Sequence, residues 1–133
     1  PNAKIKDIIQ NGLFAFKQQK TNYINHISGD VHYLTYFLNP KKTIVTVHDI
    51  MYYSYLSGFK KKIWKWLYIK SLKRAAKVTF ISEFARTQVL KEINLPLEKT
   101  IVIPNPISKN IQLKRANYLT HWNYGTKKFK KNH

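Results

Sequence analysis

Two polar pairs follow directly on β-branched runs. His48-Asp49 closes Thr43-Ile-Val-Thr-Val47, and Ser82-Glu83 closes Val78-Thr-Phe-Ile81. A third run, Ile101-Val-Ile103, ends in Pro104-Asn105-Pro106. Short apolar runs that stop abruptly in polar residues are the pattern of buried parallel strands that deliver side chains to a crevice at their carboxyl ends. At such a crevice the imidazole of His48 can donate a hydrogen bond to a phosphate or a hydroxyl, and Asp49 can orient it or bind hydroxyls itself. The plainer reading is a histidine that caps a helix or bonds backbone. Ser82 and Glu83 read either as cleft wall or as an N-cap with an acid in the first turn. Asn105 sits in a turn stiffened by two prolines, so it reads as a hinge-side cleft residue or as turn chemistry alone. Gly29, Asp30 and His32 follow an earlier short run, Tyr23-Ile-Asn-His-Ile27, and either line a pocket or serve as turn and cap.

A second constellation is basic and aromatic: Gly58-Phe-Lys-Lys-Lys-Ile-Trp-Lys-Trp-Leu-Tyr-Ile-Lys70. Lys60, Lys61, Lys62 and Lys65 with Trp64 and Trp66 fit a helix lying on an anionic membrane surface. The same residues fit phosphate contact and base stacking on a nucleic acid, a weaker match. The bland reading is a helix packed on the core through Phe59, Ile63, Trp66 and Ile69 or Lys70, with a solvated basic face.

Composition narrows the rest. The chain carries 24 Lys+Arg against 6 Asp+Glu, formally +18, which attracts polyanions without ranking them. Hydrophobic residues are 44% of the chain, enough for one packed domain. There is no cysteine, hence no disulfide frame and no thiolate metal site, which fits a reducing, cytoplasmic compartment. No run reaches membrane-spanning length, and no signal peptide is visible at the start, which is not a Met. The histidines show no metal-ligand spacing, so no metal is expected. No phosphate loop, dinucleotide fingerprint or Gly-x-Ser-x-Gly elbow occurs.

The elements that must position these residues follow from periodicity. Ala3 to Gln19 reads as an amphipathic helix through Ile5, Ile8, Ile9, Leu13 and Phe16. A strand over Tyr23–Ile27, a turn at Ser28-Gly-Asp30 and a helix over Val31–Leu38 come next. Thr43–Val47 is a strand, and Tyr52–Ala76 is mostly helical with a break near Gly58. Lys77–Ile81 is a strand, Glu83–Glu92 a helix and Thr100–Ile103 a strand. This alternation predicts an α/β fold with right-handed crossovers and a parallel sheet. After Ser108 the pattern collapses. Residues 1–107 therefore read as one Rossmann-like domain and 108–133 as an irregular basic tail.

Four segments in order carry a family resemblance: His26-Ile-Ser-Gly-Asp-Val-His32, Thr46-Val-His-Asp49, Phe80-Ile-Ser-Glu-Phe84 and Val102-Ile-Pro-Asn-Pro-Ile107. The chain resembles the acceptor-side, N-terminal domain of retaining GT-B glycosyltransferases (group 1, family 4-like) over roughly Asn2 to Ser108. The resemblance implies half of a GT-B fold. It implies a nucleotide-sugar donor substrate, no other cofactor, and a sugar or lipid-linked acceptor. It makes His48 and Asp49 the catalytic pair, with Gly29, Asp30, His32, Ser82, Glu83 and Asn105 at the substrates. Attachment to the membrane periphery would suit a lipid-linked acceptor.

Two departures stand against the pattern. Nothing precedes the first helix where the family has a strand and a Gly-rich turn, and the residues after Ile107 are too few for a donor-binding domain. Both predict a fragment with exposed sheet edge and core, inactive alone. Shifted forward by one nucleotide with permitted codons, Lys114–Tyr124 can read Lys-Glu-Pro-Ile-Ile-Leu-His-Ile-Gly-Thr-Thr, and Lys-Asn-Leu-Lys-Arg can follow. That resembles the opening of a donor domain, and Trp122-Asn123 must yield the glycine. The hypothesis is a frameshift near Leu113; an early stop in the shifted frame of the gene would end it. The competing class is a small basic module that binds nucleic acid or anionic membranes.

Overall fold

The structure, a computed structural model, describes residues 4–106. The basic tail and its reading-frame hypothesis lie outside the described residues, as does Ala3, the expected first residue of the first helix.

Four strands, β1 (Asn25–Ile27), β2 (Thr43–Val47), β3 (Lys77–Phe80) and β4 (Thr100–Val102), form one sheet in the order β1-β2-β3-β4. Every neighbouring pair is parallel. This is the expected α/β, Rossmann-like arrangement. The long helices are α1 (Ile5–Gln18) and α4 (Glu83–Glu92). Between β2 and β3 run α2 (Met51–Ser54), then α3 (Gly58–Trp64), which continues through a π turn (Lys65–Ile69) into a 3₁₀ turn (Lys70–Arg74). The helix expected over Val31–Leu38 is a 3₁₀ helix, His32–Tyr36.

Local chemistry explains the boundaries. Ser82 Oγ accepts from the Ala85 amide at 3.1 Å, so α4 begins where its capping serine stands. Gly58 has φ +56°, a left-handed conformation that breaks the Tyr52–Ala76 helix where glycine permits it. At Gly12 of α1 a Cβ would overlap the Phe37 ring, so only glycine lets the two segments meet.

The two faces of the sheet differ. Ile27, Val45, Val47, Val78 and Phe80 point to one face and form a single buried cluster with residues of the helices, among them Leu72, Ala85 and Val89. Right-handed crossovers between strands laid down in sequential order place their helices on the same face. The alternate positions, His26, Ile44, Thr46, Thr79 and Ile101, are half-buried or exposed. A parallel sheet is ordinarily covered on both faces; among the described residues this one is packed on one.

Two helix orientations differ from expectation. In α1 the large apolar stripe of Ile5, Ile9, Leu13 and Phe16 is exposed, and the helix meets the body through Ile8, Gly12 and Ala15. In the second case, the expected inward stripe of Phe59, Ile63 and Trp66 is exposed or nearly so, while Tyr68, Ile69 and Leu72 are buried. The π turn is the physical reason. It adds a residue to one helical turn and rotates the later turns relative to the earlier ones, so no single 3.6-residue stripe describes the segment.

Candidate functional site

β2 and β3 run side by side with Val47 paired to Phe80. The residues that come after each strand, His48-Asp49 and Ser82-Glu83, therefore emerge at the same carboxyl rim. β1 ends one strand over, and the turn after it carries Ser28, Gly29 and Asp30 to that rim. This is where open α/β sheets hold ligands.

Across the rim, the exposed His48 ring places Nε2 2.9 Å from the Ser28 carbonyl oxygen. A carbonyl only accepts, so Nε2 carries the proton. In a neutral ring Nδ1 is then left as an acceptor for a ligand hydroxyl. In a protonated ring it becomes a cationic donor for a phosphate oxygen. Asp49 Oδ1 accepts from the Met51 amide at 2.9 Å, which fixes the carboxylate against the start of α2. One oxygen does that structural work while the residue stays exposed.

Of the other sequence candidates, Ser82 is the α4 cap described above. Glu83 pairs with Arg86 at 2.9 Å one turn along. Gly29 is half-buried, though with open space where a side chain would be, and Asp30 is exposed beside it. Asn105 is exposed in the segment after β4. His32 lies under the surface at 2% exposure, and its Nδ1 donates to the Tyr68 carbonyl at 3.0 Å. Among the described residues its Nε2 has no partner, and neither does the buried Ser71 hydroxyl. Burial pushes the His32 pKa down; the bond to Tyr68 and the negative charge of Asp30 act the other way.

In the basic segment the candidates divide. Trp64 turns to the core, stacked on Tyr68 at 4.7 Å between ring centroids and on Tyr53 at 5.7 Å. Lys61 sits 4.5 Å over the Tyr53 ring. Lys65 pairs with Glu92 at 2.8 Å; that hydrogen bond lowers the Glu92 pKa, and the same bond raises that of Lys65. Lys60, Lys62 and Trp66 are exposed.

Sequence reasoning missed a cleft of about 240 Å³ between α2 and α4, which opens beside Asp49 and is lined by Met51, Ser54, Tyr55, Phe84 and Gln88 among others. It is smaller than a complete ligand pocket of about 300–1,000 Å³, as one wall of a cleft would be. A usable signal was there: Tyr55 and Phe84 are aromatics in segments that begin at strand ends. Also missed was a hydrogen-bonded row on the open sheet face. His26 Nε2 lies 2.8 Å from Thr46 Oγ1, Thr46 Oγ1 lies 2.7 Å from Thr79 Oγ1, and Thr79 donates to the Val45 carbonyl at 3.3 Å. Its direction runs from the histidine to the carbonyl. Among the described residues no group of three or more His, Cys, Asp or Glu could hold a metal ion, and no helix is long and apolar enough to cross a membrane.

A parallel Rossmann-like sheet with histidine, aspartate and serine along one carboxyl rim defines a class: α/β domains that present one wall of a ligand cleft. A family model, Glycosyltransferase Family 4, matches residues 22–110, and the chain belongs to that family. The matched span includes all four strands and the whole rim. No match was found among curated proteins or among solved structures.

Proposed function

We propose that this chain provides the acceptor-side half of an enzyme that moves a sugar from a nucleotide-sugar donor to an acceptor hydroxyl. The observation that carries the reading is the rim: His48, tied by Nε2 to Ser28 across two parallel strands, offers Nδ1 to a ligand. A preorganised donor or acceptor at a site of developing charge is the usual source of such catalysis. His48 contacts the donor's sugar or phosphate, and Asp49 holds the α2 turn against it. Gly29 and Asp30 border the acceptor, with Ser82, Glu83 and Asn105 further along the cleft. His32, buried and bonded through Nδ1 to the Tyr68 carbonyl, acts on the substrates only from beneath the surface. In such an enzyme the pyrophosphate grip falls to the donor-side half.

The test is transfer of a labelled sugar by a product that reads through the shifted frame into a donor domain. Turnover of the labelled sugar is expected there. His48→Ala should lower kcat by about 10²–10³-fold, the loss seen when one preorganised group is removed. A His48→Ala enzyme with unchanged kcat would overturn the assignment.

A further inference from the structure

The two apolar stripes left outside by α1 and α3 are not separate. Ile5 and Ile9 from one helix and Ile63 and Trp66 from the other segment line a single groove of about 410 Å³, with Phe37 among its other walls. Every lining residue is apolar or aromatic. Leu13 and Phe16 extend the apolar surface along α1, and Phe59 extends it along α3; all three are exposed. A contiguous apolar surface of this kind marks a docking site rather than scattered surface residues.

Its surroundings say what docks. Lys60, Lys62 and Lys70 are exposed on the segment that carries Ile63 and Trp66, and Lys4 and Lys6 are exposed at the start of α1. No acidic residue occurs between Asp49 and Glu83. The acid on α1, Asp7, is turned to the Lys4 amide at 3.1 Å. Trp66 is held in place: its ring stacks on Tyr36 at 5.0 Å, and Tyr36 Oη donates to the Trp66 carbonyl at 2.9 Å. An apolar strip, a fixed indole and a lysine rim together match the boundary between acyl chains and anionic headgroups.

We propose that this two-helix groove is a docking surface for an anionic phospholipid bilayer. α1 and α3 lie in the interface plane; the groove takes acyl-chain carbon, and Lys60, Lys62 and Lys70 meet the headgroups. The surface is wider than the basic segment alone, because Ile5, Ile8 and Ile9 of α1 line it as well. It stands independently of the sugar-transfer reading, since none of its residues belongs to the rim.

The experiment is co-sedimentation of the full chain with phosphatidylcholine vesicles, with and without phosphatidylglycerol. Binding is expected to require the anionic lipid. Lys60→Gln/Lys62→Gln should weaken it by roughly 25-fold, each lysine near an anionic surface being worth roughly fivefold. Lys41→Gln/Lys91→Gln removes the same charge from exposed sites elsewhere and should weaken it far less. Vesicles should shift tryptophan emission to the blue in the wild type and in Trp122→Phe, and not in Trp66→Phe. Circular dichroism checks that each variant folds. Equal losses in the two lysine pairs would reduce the effect to net charge and overturn the proposal. So would vesicle binding indifferent to Ile9→Gln and Trp66→Ser. Self-association, or binding to single-stranded RNA, that depends on Trp66 while vesicle binding does not would assign the groove to another partner.

Discussion

The two faces of the same four strands obey different rules. On the covered face Val45, Val47, Val78 and Phe80 are wholly buried under the helices, each side chain contributing about 1.5–3 kcal/mol by leaving water. On the other face His26, Thr46 and Thr79 hold one another by hydrogen bonds at the sheet surface. Two histidines six positions apart make the same contrast. His26 is exposed in the polar row, while His32 is buried among helices with one nitrogen unpartnered among the described residues. The covered side therefore carries the fold's stability, and the open side remains chemically available.

Truncating the covered face should have the largest effect. Phe80→Ala is expected to destabilise the chain by about 3–5 kcal/mol. Urea denaturation measures it, and a loss below about 1 kcal/mol would mean that the core lies elsewhere.

A reciprocal exchange sharpens the contrast. Val45→Thr sets an unpaired hydroxyl in the core and should lose about 1–3 kcal/mol, whereas Thr46→Val, one residue away, removes surface hydrogen bonds worth about 1 kcal/mol or less. Equal losses, read from denaturation midpoints at constant slope, would erase the difference between the faces.

The smallest effect is a pH slope. Because burial lowers the His32 pKa, the unfolded chain takes up the proton first as pH falls through the ordinary value near 6.5. Stability should then decline below that pH, by no more than about 1.4 kcal/mol per pH unit for one proton. His32→Asn keeps a donor for the Tyr68 carbonyl and should remove that part of the slope. A slope unchanged in this variant would assign it to other groups.

Much of the fold was legible because the signals are local. β-branched runs that end in polar residues located β2, β3 and β4. Ser82 followed by Glu83 located the start of α4, since a cap is chemistry between residues three apart. The rim was legible too, because parallel strands must share a carboxyl end. The inward face of α3 was not. A lysine- and aromatic-rich stretch offers several stripes, and the π turn that selects among them answers to packing of Trp64, Tyr53 and Tyr68.

By itself the sequence determined the alternation of strand and helix, the parallel sheet and the residues that close each strand. Periodicity and capping act over a few residues and need no distant partner. Only the tertiary structure decided which side of each helix faces water, and that His32 lies beneath the surface while His48 stands at the rim. It also decided that two apolar stripes far apart in the chain share one groove. Those outcomes depend on which surfaces meet, and burial is a property of pairs of segments that neither segment encodes alone.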